Sequence, residues 1–214
     1  MCKAVIFDFN GTLFLDGDKH VKAWSAIAEE LRGTSVTPEE LHNQMNGLCN
    51  QEIVTYLKAG LSKEENKKYS QLKESYYREF CKQDSEHFHL TKGAETLFDR
   101  LKEKEIPFTI ASASIWENIQ FFIESFHLNR WVDTDKIVYD DGSYVGKVMM
   151  FKDAAKKLGV SIEDVVIFED SVSGITNAYE AGCRNIVVIN SSGDGEKLKK
   201  LPGVQRVIED FTDL

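Results

Sequence analysis

Four short stretches of this 214-residue chain carry side chains that can do chemistry. In Asp8-Phe9-Asn10-Gly11-Thr12-Leu13 a carboxylate leaves an apolar run, and a glycine lets backbone amides close over whatever that carboxylate touches. Ser112-Ala113-Ser114 follows Pro107 to Ala111 (PFTIA) and offers hydroxyls and backbone N–H groups that can receive a phosphate oxygen. Lys147 stands in Tyr144-Val145-Gly146-Lys147, ahead of a helical pattern. Glu169-Asp170-Ser171 places two adjacent acids after Asp164 to Phe168 (DVVIF). Such acids repel one another unless a cation or a base is present, and oxygen ligands of this kind suit Mg²⁺. Each stretch also has an ordinary explanation: an Asp opening a tight turn, a helix N-cap, a solvent-facing lysine, a capped helix start. Their order decides between the two, because Asp, Ser, Lys and Glu-Asp, each at its own strand end, are hard to obtain by accident.

The elements that must position these residues follow from apolar patterning. Lys3 to Phe7, Pro107 to Ala111, Asp164 to Phe168 and Asn185 to Ile189 read as short buried strands. Gly93 to Glu103, Trp116 to His127, Met150 to Leu158 and Ser173 to Ala181 read as amphipathic helices between them, the last closed by Gly182 as a C-cap. This alternation predicts an α/β fold, a Rossmann-like parallel sheet with helices on both faces. Ligands of such a sheet bind beyond the carboxyl ends of its strands, which is where the four stretches fall.

Between the first and second strands the period changes to helical. Val21, Trp24, Ile27, Ala28 and Leu31 make one stripe; Leu41, Met45 and Leu48 make another; Tyr69, Leu72, Tyr76 and Phe80 make a third. Thr37-Pro38-Glu39-Glu40 looks like a helix start, with the hydroxyl capping and the acids near the positive end of the dipole. The expected organisation is therefore an α/β core domain of residues 1–14 and 85–214, with a small all-helical domain over 15–84 inserted after the first strand. Hinges are expected near Phe14 to Gly17 and Ser85 to Leu90, closing the two over a substrate to shut out water.

Composition narrows the partners. The 26 basic and 35 acidic residues leave a net charge of −9, a field that repels nucleic acid and anionic membranes. A small anionic substrate then needs a local positive charge or a bound cation to hold it. Cys2, Cys49, Cys81 and Cys183 form no C-x-x-C pair, so they read as reduced thiols. The apolar run before Asp8 is too short for a signal-peptide core, and a cytoplasmic monomer is expected. The lysines at 67–68 and 197–200 read as solvated helix faces, and neither a P-loop nor a dinucleotide fingerprint occurs.

These signatures resemble the haloacid dehalogenase (HAD) superfamily of phosphotransferases and hydrolases over essentially the whole chain. The resemblance implies that Asp8 is a nucleophile that becomes an aspartyl phosphate. It also implies that Thr12, Ser112, Ala113 and Ser114 hold the transferring phosphoryl group, and that Lys147 offsets charge on nucleophile and phosphate. Mg²⁺ would be held by Asp8, the backbone carbonyl of Asn10, Asp170 and Glu169, the last directly or through water. The helical insertion is similar to the small cap of the β-phosphoglucomutase-like branch. His20-Val21-Lys22-Ala23-Trp24 matches its H-x-x-A-W stretch, and Gly47-Leu48 and Lys73 fall where that branch places its cap loop and a substrate-binding lysine. His20 and Trp24 read equally as cap-core residues, since i and i+4 share a helix face.

Two departures from the family pattern stand out. Asn10 occupies the position of the usual acid/base aspartate, and an amide cannot shuttle a proton, a loss of about 10²–10⁴ in rate. Asn50 replaces the arginine that grips the distal phosphate in the mutases. Asn10 is natural and marks a slow or repurposed enzyme, or is an engineered trap, or deamidates at Asn10-Gly11 to restore an acid. The reading is a Mg²⁺-dependent phosphohydrolase of a small phosphorylated metabolite, such as a sugar phosphate. The alternatives are a β-phosphoglucomutase-type isomerase and a low-turnover phosphometabolite-binding protein.

Overall fold

The computed structural model describes residues 3–45 and 48–214, leaving aside the side chains of Pro38, His42 and Asn43; Cys2 and Gly47, named above, lie outside the described residues. In chain order the elements are β1 (Ala4–Phe7), α1 (Gly17–Arg32), α2 (Pro38–Glu40, continued by a π-helical turn at Leu41–Met45), α3 (Asn50–Leu57) and α4 (Lys63–Gln83). There follow α5 (Ala94–Glu103), β2 (Phe108–Ile115), α6 (Trp116–Phe126), β3 (Val138–Asp140), α7 (Lys147–Lys157), β4 (Val165–Glu169), α8 (Val172–Ala181), β5 (Asn185–Ile189), α9 (Gly195–Leu198) and β6 (Val204–Ile208). The chain divides into two units, Met1–Leu15 with His89–Leu214, and Asp16–Phe88.

The first unit is built on a six-stranded sheet of order β3-β2-β1-β4-β5-β6. Neighbouring strands are parallel throughout, with Val5 beside Phe108 on one side and Ala4 beside Val165 on the other. The chain steps outward from β1 through β2 to β3, then crosses back to β4 and steps outward the other way. Right-handed crossovers on the two sides place their helices on opposite faces. Alternation along β1 shows the result. Ile6 packs in one cluster with Phe151 of α7 and Ile175 of α8, while Phe7 meets Phe98 of α5 edge to face at 5.3 Å. The expected parallel α/β sheet with helices on both faces is what this chain forms.

The differences are local. β3 and β6 do not stand out in the sequence: β3 has three residues, and β6 is an edge strand whose Gln205 and Arg206 face solvent, so neither makes an apolar run. β2 continues past Ala111 to Ile115, so Ser112-Ala113-Ser114 lies within the strand and not after it, at a place where its register to β3 shifts. α7 begins at Lys147, which is therefore the first residue of the helix and does not precede it. Gly182 closes α8 in the left-handed conformation, as expected.

In the helical unit, α1 buries Ala23, Trp24, Ile27, Ala28 and Leu31, and the last four pack in one cluster with Val36, Met45, Ile53, Val54 and Leu57. The Thr37 hydroxyl accepts the Glu40 N–H at 3.1 Å, the expected cap. Leu48 is 41% exposed and falls off its stripe, and α3 fills that part of the core instead. On α4 the deepest face is Ser70, Lys73, Glu74, Tyr77 and Cys81, one residue round from the Tyr69–Leu72–Tyr76 stripe, which is only partly buried. A polar face goes deepest because its charges are paired, which apolar periodicity does not register. Cys49, Cys81 and Cys183 are free thiols, and no helix among the described residues is long and apolar enough to cross a membrane.

Candidate active site

All four residues of β1 are buried and apolar, and the Asp8 N–H donates to the Phe168 carbonyl at 2.9 Å. This extends the β1–β4 pairing by one step and brings Asp8 alongside Glu169, the last residue of β4. The β1–β4 boundary is where the strand order reverses, the place an open α/β sheet leaves a crevice. After Asp8 the backbone curls tightly: the Phe9 carbonyl accepts N–H groups from Thr12, Leu13 and Phe14, and Gly11 adopts φ 75° and donates to the Phe14 carbonyl at 2.7 Å. Thr91 pins the turn, its hydroxyl donating to the Thr12 carbonyl at 2.8 Å.

Lys147 arrives from the other side. Gly146, at φ 105°, turns the chain into α7 so that the Lys147 ammonium lies 2.6 Å from Asp8 Oδ1 and also donates to Glu169 Oε1. Glu169 is fully buried. Its Oε2 accepts the Asp170 N–H at 2.8 Å, the Ser171 N–H at 3.0 Å and the Ser171 hydroxyl at 3.1 Å. The same Ser171 oxygen caps α8 by accepting the Gly174 N–H at 3.0 Å, so the start of that helix and the orientation of Glu169 are fixed together. Asp170 accepts from the Ser191 hydroxyl at 2.9 Å, and the Thr12 hydroxyl lies 3.5 Å from both Asp8 Oδ2 and Asp170 Oδ1. On β2, Ser114 and Ser112 donate to Asn10 Oδ1 at 2.7 and 3.3 Å, while Ala113 is exposed between them.

The electrostatics follow from three acids around one base. Burial pushes the Asp8 carboxyl well above the usual carboxylate range; Lys147 pulls it back, and Glu169 and Asp170 push it further up. Burial works to lower Lys147, yet the charges of Asp8 and Glu169 outweigh it and hold the ammonium's pKa above its ordinary value. Asp8, Glu169 and Asp170 each offer a carboxylate oxygen, all within 4.8 Å of one another. Three carboxylates with one ammonium between them leave excess negative charge, and an all-oxygen donor set matches a hard divalent cation such as Mg²⁺. These residues fit the metal.

The structure thus brings Asp8, Asn10, Thr12, Ser112, Ala113, Ser114, Lys147, Glu169 and Asp170 to one end of the core sheet. His20, Trp24 and Lys73 form a cluster within the helical unit. The Lys73 ammonium lies 2.9 Å from His20 Nδ1, donates to Glu74 Oε1 at 2.8 Å and stands 5.4 Å above the rings of both Trp24 and Tyr77. Asn50 donates to the same Glu74 oxygen at 2.7 Å. His20 stacks on Tyr77 at 4.3 Å and reaches Asp16 at 3.3 Å, while Tyr77 donates to Asp16. Sequence reasoning passed over Ser191, Asp16, Glu74 and Tyr77. Ser191 had a usable signal, since it follows the strand Asn185–Ile189 at its carboxyl end.

Residues 5–188 match the model of the haloacid dehalogenase-like hydrolase family. A HAD hydrolase of family IA, variant 3, from Entamoeba histolytica is 38% identical, with 99% of this chain and 95% of that one covered and a TM-score of 0.92. A phosphorylated carbohydrates phosphatase from Thermotoga maritima is 27% identical over 208 residues, 96% of this chain and 94% of its own length. A β-phosphoglucomutase from Clostridium difficile, 24% identical, shares the fold with a TM-score of 0.76 over 100% of this chain and 93% of that one. The acidic pair opposite a strand-end aspartate, the sheet order and the family match across most of the chain converge: this protein belongs to the haloacid dehalogenase-like hydrolases and is an enzyme of that family.

Proposed function

We propose that the chain is a Mg²⁺-dependent phosphohydrolase of a small phosphorylated carbohydrate, working through an aspartyl phosphate on Asp8. The observation that carries this reading is the juxtaposition of Asp8 with Lys147 at 2.6 Å and with Glu169 and Asp170 within 4.8 Å. The Thermotoga maritima relative, named for acting on phosphorylated carbohydrates, supports the substrate class. In this reading one Asp8 oxygen attacks phosphorus in line with the ester oxygen, and water then releases inorganic phosphate. Lys147 fixes the carboxylate's orientation and offsets charge on the phosphoryl oxygens. Ser112, Ser114 and Thr12 supply hydroxyls, and the backbone around Ala113 supplies amides, to the same oxygens. Mg²⁺, held by Asp8, Asp170, Glu169 and the Asn10 carbonyl, would supply further neutralisation of the phosphoryl charge. His20, Trp24 and Lys73 are proposed to contact the substrate from the helical unit.

A mutase must hold a bisphosphate at both ends. At position 50 the side chain is a neutral amide bonded to Glu74, which favours hydrolysis over mutation. The test is a screen of sugar phosphates with Mg²⁺. Release of inorganic phosphate that is abolished in Asp8→Ala supports the reading; an isomeric phosphate ester in place of free phosphate supports the mutase. Phosphate release that survives in Asp8→Ala overturns the role of Asp8.

A further inference from the structure

Each of the three clustered acids has an oxygen held by a donor of the core unit itself. Asp8 Oδ1 takes the Lys147 ammonium at 2.6 Å. The same ammonium donates to Glu169 Oε1, while three donors from Asp170 and Ser171 hold Glu169 Oε2. For Asp170 the donor is the Ser191 hydroxyl, 2.9 Å from Oδ2. Lys147 offsets charge wherever it stands, so its two bonds serve the electrostatics as well as the orientation of Asp8 and Glu169. Ser191 is neutral, and what its bond changes is the orientation of one carboxylate.

The sheet fixes where that hydroxyl stands. β5 runs beside β4 with Val188 opposite Glu169, so the chain that leaves β5 passes the acids that end β4. It is tied to β6 on its other side: the Asn190 N–H donates to the Ile208 carbonyl at 2.9 Å and its side-chain amide to Glu209 Oε1 at 2.8 Å. Asp170 Oδ2 meanwhile fills room that a side chain at position 11 would need, since a Cβ on Gly11 would lie 2.2 Å from it. Asp170 Oδ1 lies 3.5 Å from the Thr12 hydroxyl, which is equally far from Asp8 Oδ2. Asp170 and Asp8 thus share Thr12 as a neighbour through one oxygen each, and each turns its other oxygen to its own donor.

Resting on the reading of these acids as a divalent-metal site, we infer that Ser191 determines which ion the site prefers: it restricts Asp170 to ligation through one oxygen and so favours Mg²⁺ over Ca²⁺. Mg²⁺ takes six ligands in near-octahedral geometry at about 2.0–2.1 Å. Ca²⁺ takes six to eight at about 2.3–2.6 Å and readily uses both oxygens of one carboxylate. A carboxylate whose second oxygen is held elsewhere meets the first demand and denies the second. Where three acids make the site, one chelate withheld is a large share of what Ca²⁺ requires. Ser191 is therefore a positioning residue, acting on the ion through Asp170.

The experiment is competition of Mg²⁺ and of Ca²⁺ against Mn²⁺, followed by electron paramagnetic resonance, on the whole protein without substrate. Wild type is expected to hold Mg²⁺ more tightly than Ca²⁺. Ser191→Ala is expected to weaken Mg²⁺ about tenfold, as for other residues that orient metal ligands, and to move the Mg²⁺-to-Ca²⁺ affinity ratio about tenfold toward Ca²⁺. Ser191→Thr keeps the hydroxyl and is expected to keep the wild-type ratio. A purely structural role would weaken both ions alike; an unchanged ratio in Ser191→Ala overturns the inference alone, because metal binding by Asp8, Glu169 and Asp170 then stands. A wild type that prefers Ca²⁺ also overturns it, even where Ser191→Ala does not fold. Mn²⁺ that fails to bind the wild type, or binds Asp170→Asn as tightly, overturns the metal dependence in the proposed function and this inference with it.

Discussion

A methyl group added at Gly11 would sit 2.2 Å from Asp170 Oδ2, on a backbone already at φ 75°. Gly11→Ala is therefore expected to displace Asp170 or unwind the turn after Asp8. Because a misplacement of about 1 Å at a reacting centre costs on the order of 10² in rate, kcat/KM should fall by at least that much while the far-ultraviolet circular dichroism stays that of the wild type. Lys147 and Glu169 make a different case, since removing one member of a buried ion pair strands the other. Lys147→Met is expected to destabilise the core by about 3–5 kcal/mol at neutral pH without divalent metal, measured by urea unfolding. The double variant with Glu169→Gln should lose less than the sum of the two single losses, and additive losses would show that the two groups do not interact. Asp8, Lys147 and Glu169-Asp170 were legible because each follows or precedes a run that reads as strand or helix. Ser191 offered only its place after a strand, and what it binds shows once Asp170 is seen 2.9 Å away.

At the scale of elements, the first turn of α8 is where fold and site share atoms. Ala is the better helix former by about 1 kcal/mol, so Gly174→Ala should leave α8 intact or firmer. Yet its methyl would lie 1.8 Å from Glu169 Oε1, within the space the carboxylate fills. Mg²⁺ affinity by titration calorimetry is expected to drop about tenfold or more, as for other residues that orient metal ligands. In the helical unit, Arg32 at the end of α1 donates to Glu40 at the end of α2, 2.7 Å from Nη2 to Oε2. Hydrogen bonding from Arg32 lowers Glu40 from its usual 4.5 to about 2. A depressed acid stabilises the fold above its unfolded pKa and loses that contribution as pH falls through its folded one. Glu40→Gln should therefore cost about 0.5–1 kcal/mol at pH 7, a surface pair's worth, and the gap from wild type should close between pH 4.5 and about 2. A gap unchanged across that range would remove the pair as its cause.

At the scale of the whole molecule, a divalent ion binding three carboxylates that crowd one another only in the folded core must stabilise it by mass action. At a hundredfold excess over Kd, Mg²⁺ is expected to add about 2.7 kcal/mol, read as a rise in thermal midpoint that Asp170→Asn abolishes. An equal rise in the variant would locate the ion elsewhere. The net charge of −9 makes this the more telling measurement, since weak screening by any salt shifts both proteins alike.

By itself the sequence determined the parallel sheet with helices on both faces, the helical insertion after β1 and the apolar runs that lead into Asp8 and Glu169. Short apolar runs ending in polar residues are readable in one dimension, because burial demands them whatever the neighbours are. Only the tertiary structure decided the rest. It extended β2 through Ser112–Ser114, made Lys147 the first residue of α7, and turned α4 so that Lys73, Glu74 and Tyr77 lie deepest. Each depends on a partner distant in sequence: Asn10 for the serines, Asp8 for Lys147, and His20 and Asp16 for the polar face of α4. A paired charge can be buried where an unpaired one cannot, and pairing across tens of residues leaves no local pattern to read.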